Sequence, residues 1–196
     1  MSSDDTYGIP REFFRADLRD FEFYDSRGAT AQYAGVRKGI MAFLKGEFQS
    51  LFFFGHNGSG KSHVGCAILN RLRSAGRGVR CVSVFDFFED YKENQWVINP
   101  AFLAAEVLLL EELGKTYAAK NDILTPPLER LIKSREESGK RTIYTSNCGL
   151  SDIETVHGAT IMSMIKGKAM PVHFPDVDWR VRINLERVRS TNGRTN

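Results

Sequence analysis

A chain of 196 residues, 42% of them hydrophobic, can bury one substantial core and is short for two. Its 27 basic and 24 acidic residues leave a formal charge of +3, which permits an anionic partner but is too balanced to establish nucleic-acid binding by itself. No apolar run approaches the roughly 18 residues of a membrane span, and Met1-Ser2-Ser3-Asp4-Asp5 lacks a signal-peptide pattern, so no membrane association is expected.

Cys66, Cys81 and Cys148 are far apart, odd in number and in no C-x-x-C pair. They suggest neither a disulfide framework nor a zinc site, and point to a reducing, cytoplasmic compartment. After a polar start, Gly8-Ile9-Pro10 leads into Phe13, Phe14, Phe21 and Phe23, aromatic residues mixed with charge and without clean periodicity. This segment is expected to pack across the domain rather than to stack on bases. Tyr33, Val36, Ile40, Phe43 and Leu44 recur at helical spacing, predicting an amphipathic helix over about residues 30–45.

The next stretch organises the chain. Leu51-Phe52-Phe53-Phe54 reads as a buried strand and breaks into Gly55-His56-Asn57-Gly58-Ser59-Gly60-Lys61-Ser62, which fits G-x-x-x-x-G-K-[ST] between a strand and a helical pattern. Glycines there let backbone N–H groups approach phosphate oxygens, and the helix N-terminus adds partial positive charge. Lys61 would reach the β- and γ-phosphates and the Ser62 hydroxyl would ligate Mg²⁺, so the chain reads first as nucleotide-binding.

Val64, Ala67, Ile68 and Leu72 then mark a helix stopped by Gly76, Val79 to Phe85 reads as a strand, and Asp86 to Tyr91 looks helical. Asn94 to Pro100 reads as a loop carrying Trp96. Val107-Leu108-Leu109-Leu110-Glu111-Glu112-Leu113-Gly114 is an apolar strand ending in two carboxylates, 50 positions after Lys61. In a P-loop ATPase the first such acid holds Mg²⁺ and the second activates the attacking water, roles that fall to Glu111 and Glu112.

Leu128, Leu131 and Ile132 trace another helix, and Arg141 to Asn147 a strand ending in a polar Ser-Asn, beside the P-loop strand, where a side chain can orient water. A helix over 158–167, a short strand at Pro171 to Phe174, and a basic tail with Arg187, Arg189 and Arg194 complete the pattern. Alternating strands and helices around a phosphate loop predict an α/β fold, a parallel sheet with helices on both faces. His56, His63, His157 and His173 show no mutual ligand spacing, so no metal beyond Mg²⁺ is assigned.

The ordered set resembles the DnaC/IstB branch of the AAA+ ATPases, the bacterial replicative helicase loaders and transposition helper ATPases. Gly60-Lys61-Ser62-His63-Val64 is similar to that family's Gly-Lys-Thr-His-Leu, Leu110-Glu111-Glu112-Leu113-Gly114 to its strand closing in Asp-Asp-Leu-Gly, and Thr145-Ser146-Asn147 to its Thr-Thr-Asn. The resemblance implies a P-loop NTPase sheet of order 5-1-4-3-2, an N-terminal segment (1–30), an ATPase domain (31–185) and a basic tail (186–196).

It further implies ATP/ADP and Mg²⁺ held by Gly55, His56, Asn57, Gly58, Ser59, Gly60, Lys61, Ser62 and His63, with Ser62 and Glu111 on the metal. Glu112, Glu111, Asn147 and Lys61 would be catalytic. Implied partners are single-stranded DNA, a replicative helicase or a related loader ATPase, and further copies of the chain. Glu111 stands where the family has Asp, and Met164 where its trans-acting arginine stands, with Arg135, Lys166 and Lys168 as possible substitutes. Slow or partner-dependent hydrolysis is therefore expected, and a nucleotide-gated binding module with negligible turnover stays open. A chain of this length is also expected to lack the extra N-terminal domain of such loaders. The loop alone also looks like that of ABC-type ATPases, but no Leu-Ser-Gly-Gly follows.

Overall fold

The computed structural model describes residues 7–19, 24, 25, 28, 29, 31–114 and 125–179. Its centre is one parallel sheet of β1 (Ser50–Phe54), β2 (Val79–Ser83), β3 (Val107–Leu113), β4 (Arg141–Ser146) and β5 (Ala169–His173), in the order β2-β3-β4-β1-β5. Read from the other edge this is 5-1-4-3-2, the order the resemblance implies. A two-residue antiparallel ladder, Tyr24–Asp25 with Gly28–Ala29, stands apart from it.

Helices cover both faces, which is why the strands are continuous apolar runs rather than alternating ones. Successive β1 residues divide between two cores. Leu51 and Phe53 face one built with α1 (Ala31–Leu44) and α2 (Lys61–Ser74). Phe52 faces the other, with α3 (Val84–Glu93), α4 (Pro100–Ala104), α5 (Thr125–Glu137) and α6 (Leu150–Lys168). Val107 and Leu109 of β3 likewise point to the first core, and Leu108 and Leu110 to the second. A fully buried Phe52 truncated to Ala would cost about 3–5 kcal/mol.

Residues 7–19 pack against the domain. Ile9 is buried, Phe13, Phe14 and Leu18 pack against the first core, and the Asn70 side chain on α2 donates to the carbonyls of Phe13 (2.8 Å) and Ala16 (3.0 Å). Two boundaries differ from the sequence reading. The second strand stops at Ser83, whose hydroxyl accepts the Asp86 N–H (3.0 Å) and so starts α3 at Val84 instead of extending the strand to Phe85. The helix expected over 158–167 is the second part of a longer α6, whose first part begins at Leu150, with Asp152 accepting the Gly149 N–H (3.0 Å). Gly158, at φ 85° and ψ 165°, breaks α6 between the two parts. The basic tail with Arg187, Arg189 and Arg194, and Phe21 and Phe23, lie outside the described residues.

Candidate nucleotide-binding site

β1 delivers the glycine loop to the carboxyl edge of the sheet, and α2 begins on its far side. Gly60 caps α2 in the left-handed region (φ 97°), which turns the chain sharply enough for Lys61 to open the helix. The Lys61 ammonium folds back into the loop and donates to the carbonyls of Gly55 (2.8 Å) and His56 (2.7 Å) and to Ser59 Oγ (3.3 Å). The loop is thus wrapped around its own cation. His56 and Asn57 are exposed at the tip, Ser59 is buried, and His63 meets Phe13 edge-on with ring centroids 5.9 Å apart.

The segment after β5 closes over this loop. Phe174 N–H donates to Phe54 O (2.8 Å) and Trp179 N–H to Gly58 O (3.0 Å), while the indole of Trp179 donates to Tyr33 Oη (2.9 Å). A Cβ on Gly58, itself at φ 80°, would stand 2.2 Å from Asp178 Oδ1. His56 Nε2 lies 3.4 Å from Asp176 Oδ1 at the exposed rim.

β3 brings its carboxylates to the same edge. Glu111 is 8% exposed, and burial above all pushes its carboxyl above the ordinary carboxylate range. The Ser62 hydroxyl and the Cys81 thiol, whose Sγ is 3.5 Å from Glu111 Oε2, favour its charged form, while the neighbouring Glu112 charge opposes it. Glu111 Oε1 nevertheless is buried with no well-formed hydrogen bond among the described residues. A buried, under-satisfied carboxylate oxygen beside a serine hydroxyl at a P-loop suits a hard, oxygen-seeking cation, so Ser62 and Glu111 fit Mg²⁺. The extra methylene of Glu relative to Asp is accommodated beside Ser62 and Cys81.

Glu112 has a different environment. From the Leu110–Tyr144 pair to the Leu113–Ser146 pair, β3 advances three residues and β4 two, so β3 carries a bulge. Glu112 sits in it at φ 64°, a left-handed conformation that costs a non-glycine residue on the order of 1–3 kcal/mol. Its N–H donates to Thr145 Oγ1 (3.2 Å), which fixes the bulge, and the bulge turns the half-buried side chain away from the plain in-out alternation of the strand. Asn147 follows Ser146, which pairs with Phe54, and so stands beside the start of the glycine loop. Gly114 N–H donates to His157 Nε2 (3.2 Å), tying the end of β3 to α6.

Glu111, Glu112, Ser62, Cys81 and Ser83 line a cleft of about 880 Å³, with Gly8 from the N-terminal segment at its wall. Lys61, Ser62, Glu111 and Glu112 therefore come together at one edge, with Asn147 at the end of the adjoining β4. Lys166 and Lys168 are exposed on α6, and Met164 is half-buried against the second core.

Arg135 requires correction. It is 1% exposed, and its guanidinium donates to the carbonyls of Phe102 (2.6 Å), Ala105 (2.9 Å) and Arg141 (2.5 Å) and to Thr142 Oγ1 (3.1 Å). Burial lowers its pKa to about 10. A side chain spent inside its own chain cannot reach a neighbour's nucleotide, so Arg135 holds α4, α5 and β4 together instead. Sequence reading also missed Thr145 and His157 as supports of the acidic strand end. The polar Thr-Ser-Asn run signals the first, while nothing in sequence places His157 on Gly114.

The fold is that of a P-loop NTPase of the AAA+ type. No family model matches the chain. Among curated proteins it is 24% identical over 144 residues to the chromosomal replication initiator protein DnaA of Francisella philomiragia, covering 70% of this chain and 29% of that one. It is 23% identical over 191 residues to the replicative helicase loader DnaC of Escherichia coli, covering 89% and 77%. The crystal structure of the DnaC helicase loader superposes with a TM-score of 0.68 at 20% identity, over 85% of this chain and all of the other. AMPPCP-bound DnaA from Aquifex aeolicus gives 0.72 at 18% identity, over 94% and 57%. The chain is thus similar in sequence to DnaC and DnaA and shares its fold with the DnaC helicase loader and DnaI. It spans only 29% of the DnaA relative's length. Among the described residues no helix is long and apolar enough to cross a membrane.

Proposed function

We propose that this chain is a helicase-loader-like AAA+ ATPase of DNA replication that binds Mg·ATP at Gly55–Ser62 and assembles on single-stranded DNA or a replicative helicase in a reducing cytoplasm. The observation that carries the reading is the juxtaposition of a P-loop ending in Lys61-Ser62 with a buried Glu111 and a bulged Glu112 on a DnaC-like sheet. Bound Mg·ATP supplies the phosphoryl group and the cation that neutralises its charge. Lys61 exchanges the loop carbonyls of Gly55 and His56 for phosphate oxygens, and the Gly58–Ser62 amides hold them at the start of α2. Ser62 and Glu111 would hold the metal, Glu112 would take a proton from the attacking water, and Asn147 would orient that water. Lys166 or Lys168 of one copy would face the nucleotide of the next, without the bidentate fork of an arginine.

A binding module with negligible turnover is the second reading, favoured by half-buried Met164 where the family has its trans-acting arginine. Both readings predict ATP binding. They separate on phosphate release measured with and without single-stranded DNA, beside Glu112→Gln. Stimulated turnover that Glu112→Gln removes supports the ATPase; binding with no turnover under any of these conditions supports the module. A transposition helper is distinguished from a loader by its partner, so co-purification with a replicative helicase favours the loader.

A further inference from the structure

The spacing of the cysteines gives no hint of a metal site, yet the fold brings two of them together. Cys66 lies on α2, one turn beyond Ser62, and Cys81 on β2, and both are buried. Their sulfurs and a carboxylate oxygen of Glu111 all lie within 4.8 Å of one another. A tetrahedral zinc-class ion, with metal–sulfur bonds of about 2.3 Å, needs about 3.8 Å between ligand sulfurs, so closure takes movements of about 1 Å or less. Small buried thiols alone would be ordinary core filling. Apolar filling does not account for a carboxylate among them with one oxygen lacking a good partner. The cluster also has an opening, because Cys81, Glu111 and Ser62 line the cleft, which gives an ion a way in and a place for water as fourth ligand.

We propose that Cys66, Cys81 and Glu111 form a site for a thiophilic divalent cation of the zinc class, and that its occupancy withdraws Glu111 from Mg·ATP. The chemistry balances simply: two S–H bonds break, two protons pass to solvent, and two metal–thiolate bonds and one metal–carboxylate bond form with no change of oxidation state. Soft thiolates select zinc over magnesium, whereas Ser62 with Glu111 alone selects magnesium. One carboxylate thus serves two mutually exclusive cations. The binding half stands on the cluster geometry; the inhibitory half rests on the reading of Glu111 as the Mg²⁺-side acid.

The test uses the full, reduced chain with excess Mg²⁺ present and Co²⁺ or Zn²⁺ alone as probe. Co²⁺ is expected to develop a thiolate charge-transfer band and intense tetrahedral visible bands that saturate at one ion per chain and are displaced by Zn²⁺. Cys66→Ser and Cys81→Ser should remove the charge-transfer intensity in part or whole, and Cys148→Ser should leave it intact. Because either buried variant can misfold, X-ray absorption of the zinc-loaded wild-type chain provides an independent readout, expected to show two sulfur neighbours at about 2.3 Å. A shell of nitrogen and oxygen only, or a band lost with Cys148→Ser, overturns the site. Zinc should also raise the Mg·ATP dissociation constant about 10–100-fold, the scale of losing one metal-site partner, and a chelator should reverse it. Intact thiolate bands with unchanged Mg·ATP affinity refute the inhibitory half alone. Lys61→Ala should abolish ATP binding and keep the cobalt spectrum, so failure of the nucleotide reading and failure of the metal site are separately visible.

Discussion

Replacing Arg135 by Met tests whether that residue is internal scaffolding. The substitution keeps an unbranched apolar stem and removes a guanidinium that makes four hydrogen bonds. Thr142 can turn its hydroxyl elsewhere, but the carbonyls of Phe102, Ala105 and Arg141 are left in a site where Arg135 is 1% exposed. Each stranded carbonyl costs about 1–3 kcal/mol. Against this stands the relief of desolvating a buried cation, visible in the lowered pKa of Arg135. The net expectation is about 3–5 kcal/mol of destabilisation, a large share of the roughly 5–15 kcal/mol typical of a domain. Arg135→Lys keeps the charge but reaches fewer of the four acceptors, and should fall between wild type and Met. Urea unfolding followed by circular dichroism measures both. If Arg135→Met unfolds within about 0.5 kcal/mol of wild type, and instead impairs turnover by neighbouring copies in mixed assemblies, Arg135 is a trans-acting residue and not internal scaffolding.

Other expectations follow from single contacts. Glu112→Gly relieves the left-handed strain at φ 64° and should stabilise the chain by about 1 kcal/mol in thermal unfolding while abolishing phosphate release; loss of stability would mean that the Glu112 side chain holds the bulge. Burial lowers the pKa of His157 from its ordinary 6.5, so the unfolded chain takes up this proton first as pH falls, and stability should decline below about pH 6.5. His157→Gln, which retains an acceptor for Gly114 N–H, should flatten that decline; an identical pH profile would remove His157 as its source. Gly58→Ala places a Cβ 2.2 Å from Asp178 Oδ1 on a backbone at φ 80°, and should weaken ATP binding at least about tenfold, as fluorescent nucleotide titration would show.

The sheet was legible because its strands are buried on both faces. Leu51 to Phe54 and Val107 to Leu110 have no polar interruption, and the glycine loop and paired acids mark their carboxyl ends. Boundaries were less legible where a side chain rather than hydrophobicity sets them. Val84 and Phe85 extend an apolar run, but the Ser83 cap ends the strand before them. The first half of α6 was missed because Gly149 and Gly158 flank a stretch whose charged residues give it a weak apolar stripe. In the site, the identity of Lys61, Ser62, Glu111 and Glu112 was readable, whereas their geometry was not. The bulge that turns Glu112 depends on a one-residue mismatch with β4, which no residue spacing announces. Arg135 looked like one basic residue on an amphipathic helix, and only the meeting of α4 and β4 around it makes it core. Cys66 and Cys81 are 15 positions apart, and Glu111 is 30 further on, so only the sheet brings them together.

ATP affinity by isothermal titration calorimetry, with Mg²⁺ and with a chelator, on wild type and Lys61→Ala, tests the central claim most directly. The account predicts one site per chain that weakens without Mg²⁺ and is lost in Lys61→Ala while the variant stays folded. Undiminished ATP binding by folded Lys61→Ala would place the nucleotide elsewhere and contradict the assignment of Gly55–Ser62 as its cradle.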